Sequence, residues 1–303
     1  MGATPATGTP WERLGLDAAF IGRLDRLSLL AKQRMRGLGA GPRRSIASGS
    51  SVEFADFRTY APGDDFRRVD WSAYARLERL FLRIFEAEEN TTLSIFVDCS
   101  TSMAGGTPSK QRLARQLAAS LGYIALASYD RVALMGIRDR LGPYLPPRSG
   151  RERASELWRF LAELPEEGST RMDALRGYQG YSRGPGISVV IADMLTDSDW
   201  RAGLRTLAGG ARQEITVVQI LAPEELRPDL DGDLTLVDAE DGERLEVTIG
   251  PAVLRRYQEA LAAHTAEISD WCRGQSIAFA QVSSATPIDE LVLRLLRRIG
   301  ATG

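Results

Sequence analysis

From residue 93 to residue 282, five short runs of Val, Ile, Leu and Ala alternate with longer amphipathic stretches. The runs are Leu93–Val97, Val132–Ile137, Val189–Ala192, Ile215–Leu221 and Ile277–Val282. Runs with no polar alternate positions are expected for strands covered on both faces. The stretches between them place apolar residues at helical spacing: Leu113, Leu117, Leu121 and Ile124, then Leu157, Phe160, Leu161 and Leu164, then Leu254, Tyr257, Leu261, Ile268 and Trp271. Strand–helix alternation of this kind predicts an α/β fold, an open and mostly parallel sheet with helices on both faces. Val132–Ile137 and Leu141–Leu145 are too close for a crossover helix, so one antiparallel edge strand is expected. Residues 234–249 read as a further hairpin turning at Asp241-Gly242.

The earlier chain differs. Residues 1–16 read as a flexible N-terminus. Residues 17–90 read as a helix, carried by Phe20, Ile21, Leu24, Leu27 and Leu30, followed by a small accessory β region with strands near 52–60 and 80–86. The loop between them, 37–52, is rich in Gly, Ser and Arg. Residues 91–300 then form the main domain, with an insertion at 224–250 expected to pack on the accessory region.

Composition excludes several function classes. The net charge is −2, so there is no global attraction to nucleic acid or acidic lipid. The cluster Arg34, Arg36, Arg43 and Arg44 lacks the aromatic neighbours that stack bases and reads as a solvated loop. Two cysteines, Cys99 and Cys272, are too few for a disulfide framework or a zinc cluster. No apolar stretch approaches the roughly 20 residues that span a bilayer, and the N-terminus lacks a signal peptide's basic and apolar regions. A cytoplasmic protein is expected. No Gly-x-Ser-x-Gly elbow accompanies the single histidine, His264, which shares a stripe with Leu261 and Ile268 and reads as packed. No P-loop or dinucleotide fingerprint is present.

The first buried strand runs directly into Asp98-x-Ser100-x-Ser102. In open α/β sheets, ligands bind at the carboxyl ends of strands, where strand order reverses. Two neighbouring segments can bring further oxygens to that end: Thr170, ahead of a helix beginning near Met172, and Asp193, directly after Val189–Ala192. Two carboxylates and three hydroxyls suit Mg²⁺ or another hard divalent cation that keeps some of its waters. The plainer reading of Asp98, Ser100 and Ser102 is a helix N-cap.

The set Asp98, Ser100, Ser102, Thr170 and Asp193 resembles the metal-ion-dependent adhesion site (MIDAS) of von Willebrand factor A domains. A second stretch is more particular: Glu53-Phe54, Arg58-x-Tyr60-x-Pro62-Gly63-Asp64-Asp65-x-Arg67, Asp70-Trp71, Ala75-Arg76 and Glu86. It resembles a bacterial family of unknown function with a von Willebrand factor A-like domain, associated with MoxR-type AAA+ ATPases. The likeness runs from about residue 20 to about residue 300. It implies a von Willebrand factor A-like (Rossmann-like) sheet and a partner of such an ATPase in protein maturation or complex assembly. The chain departs from many such domains at Met194, where they carry Gly after the last metal aspartate, and no stretch matches the membrane anchor that many family members carry.

The expected function is a non-catalytic, metal-dependent interaction module, an adaptor or co-chaperone whose ion ligates an acidic residue of the ATPase or its client. The alternatives are a Mg²⁺-dependent hydrolase of phosphatase type, with Asp98 as nucleophile, and a scaffold with a vestigial site. For Arg58, Tyr60, Asp64, Asp65, Arg67, Asp70 and Trp71, a turn and ion-pair network that holds the accessory region is favoured over a docking surface for the ATPase.

Overall fold

Parallel strands buried on both faces dominate the architecture. The structure, a computed structural model, describes residues 8–38, 52–61, 64–66, 69–87, 92–128, 130–180, 186–209 and 213–299, with 29–38, 52–58, 83–87, 179–180 and 298–299 described by backbone alone. In chain order the first elements are α1 (Pro10–Arg13), α2 (Ala18–Leu38), β1 (Val52–Thr59), α3 (Trp71–Leu77), β2 (Phe81–Ala87), β3 (Thr92–Asp98), α4 (Lys110–Ala127), β4 (Arg131–Ile137), β5 (Leu141–Arg148) and α5 (Ala154–Ala162). They are followed by β6 (Gly186–Ala192), α6 (Trp200–Ala208), β7 (Gln213–Leu221), α7 (Pro223–Leu226), β8 (Gly232–Val237), β9 (Arg244–Ile249), α8 (Pro251–Gly274), β10 (Ala278–Ser283) and α9 (Ile288–Ile299).

Six of these strands form one sheet in the order β10-β7-β6-β3-β4-β5. All neighbours are parallel except β4 and β5, the antiparallel edge pair expected from their short connection. The chain leaves β3 to one side for β4 and β5, then returns to its other side for β6. Strand order therefore reverses between β3 and β6, and that crevice is where such sheets bind ligands. Successive residues of β3 serve opposite cores. Ile95 and Val97 pack with Leu117 and Leu157, while Phe96 packs with Val190, Trp200 and Ile268. Pleating sends alternate side chains to opposite faces, and both faces here are dry. Along α8 only Ile268 and Cys272 are buried. The stripe read from Leu254 to Trp271 is therefore covered only near its carboxyl end.

Two expectations require correction. The N-terminal segment is packed from Leu14 onward rather than flexible to residue 16. Leu14 and Leu16 are buried in the main core, and Gln116 donates to the Leu14 and Gly15 carbonyls at 3.0 and 3.2 Å. The missed signal is the apolar set Trp11, Leu14 and Leu16, which is too short to show a period but large enough to anchor a turn. Helix α2 also belongs to the main domain rather than to the accessory β region. Phe20 and Leu24 lie in the same core, Arg23 pairs with Asp289 at 3.0 Å, and Tyr123 donates to Asp25 at 2.5 Å.

The chain divides into two compact units, one of residues 1–34 and 91–303, the other of residues 35–90. The second unit contains the antiparallel pair β1–β2, with a bulge between Phe54 and Asp56, and helix α3. The β8–β9 hairpin, expected to pack on the accessory region, belongs to the main unit, where its turn reaches Thr170. The Gly- and Arg-rich loop with Arg43 and Arg44 lies outside the described residues, as do the side chains of Arg34 and Arg36. Among the described residues no helix is long and apolar enough to cross a membrane.

Leu24→Ala tests whether α2 is structural to the main domain. The side chain is fully buried, so truncation should lower stability by about 2–5 kcal/mol in urea unfolding followed by far-UV circular dichroism. An unchanged midpoint would show that α2 contributes nothing to the core.

Candidate metal centre

Three chain segments converge at the carboxyl ends of β3 and β6. Asp98 is the last residue of β3, and its Oδ1 accepts the Ser100 amide at 2.9 Å, which folds the following residues into a tight turn. A short 3-10 turn, Thr101–Ala104, follows and buries Met103. The Thr101 amide donates to the Gly168 carbonyl and the Glu167 amide to the Cys99 carbonyl, both at 3.0 Å. These bonds clamp the segment carrying Thr170 against the segment carrying Ser100. Thr196 in turn donates to the Thr170 carbonyl at 2.6 Å, tying in the loop after Asp193.

The five oxygen residues named from the sequence meet as one chain of contacts. Thr170 Oγ1 lies 3.0 Å from Asp98 Oδ2 and 2.8 Å from Ser100 Oγ. Ser100 Oγ lies 3.0 Å from Ser102 Oγ, and Ser102 Oγ lies 3.0 Å from Asp193 Oδ2. In an octahedron with metal–oxygen distances near 2.1 Å, neighbouring ligands stand about 3.0 Å apart. These are ordinary hydrogen-bond spacings, and they are also compatible with the edge of a magnesium coordination shell. Asp98, Ser100 and Asp193 are fully buried and Thr170 nearly so, while Ser102 is half-buried at the rim.

The electrostatics also favour a cation. Burial, and then the neighbouring Asp193 charge, push the Asp98 carboxyl up to about 7. Thr170 Oγ1 has one proton, yet it lies within hydrogen-bond distance of two carboxylates, Asp98 and Glu240. Only one of them can receive that proton. Four carboxylates (Asp98, Asp193, Glu225 and Glu240) surround the site, against one ammonium, that of Lys110. A hard divalent cation fits this donor set.

Lys110, at the start of α4, is the one lysine the sequence places near the site, though with no part in holding the ion. Its Nζ donates to Asp193 Oδ2 at 2.8 Å and to Glu225 Oε1 at 2.5 Å, and the side chain is almost fully buried. Burial opposes its charge, but Asp193 and Glu225 outweigh that effect and raise its pKa. A signal did exist. Lys32 and Lys110 are the only lysines in a chain whose other cations are arginine. A compact ammonium enters a narrow buried slot that a guanidinium fork does not fit. Asp193 Oδ2 thus receives both Ser102 and Lys110, and Oδ1 receives the Leu195 amide at 3.1 Å. Asp193 therefore offers an ion its charge more than a free lone pair.

Met194 resolves the departure noted in the sequence. It occupies the left-handed region at φ 60° with a fully buried side chain, so the loop takes the glycine-type conformation without glycine. Such a conformation costs roughly 1–2 kcal/mol for a residue with a Cβ, offset here by burial and by neighbours. His264 Nε2 contacts the Met194 carbonyl at 2.9 Å, and Gln219 donates to the Asp193 carbonyl at 2.9 Å. His264 is thus a half-buried brace for the aspartate loop. Cys99, pushed up to about 12 chiefly by burial, is an inert packed thiol.

The second group of sequence candidates has a structural role where it is described. Asp70 caps α3 by accepting the Ser72 and Ala73 amides at 2.9 and 3.1 Å. Asp64 Oδ2 accepts the Ala61 amide at 2.9 Å, and the Tyr60 amide donates to the Leu80 carbonyl at 2.9 Å. Asp65 follows in the same turn, and Trp71 is exposed and meets Tyr74 edge to face. Pro62, Gly63 and Arg67, and the side chain of Arg58, lie outside the described residues. Among the described residues no three His, Cys, Asp or Glu side chains are arranged to hold a metal, so the Asp98 set depends on its hydroxyls.

Removing Lys110 would leave Asp193 uncompensated beside Asp98. Lys110→Met should destabilise the protein by about 3–5 kcal/mol in chelator, and millimolar Mg²⁺ should restore most of the loss in thermal melts. Equal melting temperatures for variant and wild type in chelator would contradict this charge balance.

A family model described as "Protein of unknown function DUF58" matches residues 56–267. The Mycobacterium tuberculosis protein Rv1480 and the Mycobacterium bovis protein Mb1516 are each 31% identical over 268 residues, covering 85% of this chain and 83% of theirs. Among solved structures, BatB from Bacteroides thetaiotaomicron is similar at 13% identity and TM-score 0.43, covering 70% of this chain and 100% of that one. A von Willebrand factor type A protein from Catenulispora acidiphila is similar at 14% identity and TM-score 0.40, covering 72% and 43%. With its matched model spanning most of its length and relatives aligned over most of theirs, the chain belongs to the DUF58 family.

Proposed function

We propose that this protein is a non-catalytic interaction module whose five oxygen ligands, Asp98, Ser100, Ser102, Thr170 and Asp193, hold Mg²⁺ or a related divalent cation. The observation that carries the reading is the unbroken run of oxygen contacts of 2.8–3.0 Å linking three chain segments, a spacing compatible with the edge of a hard-cation shell. The bound ion would supply a vacant coordination position for a partner's carboxylate, and the chain's own residues would fix that position at the crevice between β3 and β6.

The partner we propose is a MoxR-type AAA+ ATPase, or its client, in protein maturation or complex assembly. This rests on the resemblance carried by the Arg58–Arg67 stretch and on the acidic ligand the site would accept. We place the action in the cytoplasm, in keeping with Cys99 and Cys272, which are both free and buried. The hydrolase alternative is weakened by the geometry. Asp98 is fully buried, whereas a nucleophilic carboxylate must meet phosphorus directly.

Isothermal titration with Mg²⁺ should give one site in the wild type and none in Asp98→Ala, and capture of a purified MoxR-type ATPase should be lost on chelation. Capture that survives both chelator and Asp98→Ala would remove the ion from recognition. Absence of any metal binding would favour the scaffold, with Lys110 as the resident cation.

A further inference from the structure

The turn of the β8–β9 hairpin brings an internal carboxylate to the oxygen ring. Glu240 Oε1 accepts the Thr170 amide at 3.1 Å and lies 3.3 Å from Thr170 Oγ1, across 70 positions of sequence. Its backbone is held by the hairpin, since Asp238 Oδ1 accepts the Glu240 and Asp241 amides at 2.7 and 3.2 Å. Among the described residues no basic side chain pairs with Glu240. Thr170 Oγ1 also lies 3.0 Å from Asp98 Oδ2, so the two carboxylates approach the same hydroxyl. A hydroxyl with one proton satisfies one of them, and a positive ion would satisfy both.

The hairpin carrying Glu240 lies largely in solvent. It pairs only with itself, and a lone two-stranded hairpin has little stability of its own. Leu236, Val237 and Leu245 along its arms are exposed, and Ile249 at its base is its only fully buried residue. Gly232, at φ 84°, and Gly250 stand at its two roots.

We propose that Glu240 is an internal stand-in for the partner's acidic residue: it caps the outward side of the ion, and the hairpin must lift before a partner's carboxylate can bind. The inference rests on the metal-site reading above and adds its regulation. An internal ligand reduces the apparent affinity of an external one in proportion to the fraction of time it occupies the position. A partner would therefore need either a high local concentration of its acidic residue or a second contact that draws the hairpin away.

The test uses Mn²⁺ in place of Mg²⁺ and acetate as the carboxylate probe, followed by water-proton relaxation on the full chain. Wild type, Glu240→Ala and Glu240→Gln should all bind Mn²⁺, the variants within about tenfold of wild type. Relaxation per bound ion should rise in Glu240→Ala, because water replaces the missing carboxylate. Acetate should displace that water at roughly tenfold lower concentration than in the wild type. Glu240→Gln, which keeps the shape and loses the charge, should also respond to acetate at lower concentration than the wild type. Mn²⁺ bound with unchanged relaxation and acetate response in both variants would overturn the cap while leaving the metal site intact. A larger fall in Mn²⁺ affinity in Glu240→Ala, with no gain in acetate response, would overturn it differently, by making Glu240 a permanent ligand that closes the site. If neither wild type nor variants bind Mn²⁺, the metal-site reading itself fails and the cap with it.

Discussion

Two buried like charges organise this protein. Asp98 and Asp193 end adjacent parallel strands, both excluded from water, with the burial and mutual repulsion that push Asp98 up to about 7. Such a pair persists only if something positive or proton-donating compensates it. The hydroxyls of Ser100, Ser102 and Thr170, the ammonium of Lys110, and the loops that position them all answer that requirement. The interaction function proposed for the chain grows from the same requirement.

The compensation is uneven. Asp193 has a permanent counter-charge in Lys110, itself shared with Glu225. Asp98 has only hydrogen bonds, from the Ser100 amide and the Thr170 hydroxyl. The two carboxylates therefore differ in character: one is fixed in an ion pair, the other is left for an exchangeable ion. Glu240 adds a third acidic group, carried by the β8–β9 turn and bonded to Thr170.

The scaffold around the pair is correspondingly rigid. Three loops are bonded to one another, by the backbones of Thr101 to Gly168 and Glu167 to Cys99, and by the Thr196 hydroxyl to the Thr170 carbonyl. Met194 in its left-handed turn and His264 beneath it fix the aspartate loop from behind.

Local pattern alone determined the strands, most helix stripes, the antiparallel edge and the hairpin turn, because burial on both faces and the turn preference of Asp-Gly act over a few residues. It also placed Asp98, Ser100, Ser102, Thr170 and Asp193 at strand ends, where the topology of parallel sheets brings ligands together. What lay beyond it depends on contacts distant in sequence. The membership of α2 in the main core is decided by Phe20 and Leu24 meeting α4 and α9, and the packing of Leu14 and Leu16 by a slot that only the assembled helices create. Lys110 and Glu240 reach the site across 83 and 70 positions. A lysine at a helix start and a glutamate in an acidic turn each read locally as solvated charge. Only the folded chain, by carrying both to the same buried pair of carboxylates, makes one a counter-ion and the other a competitor for the ion.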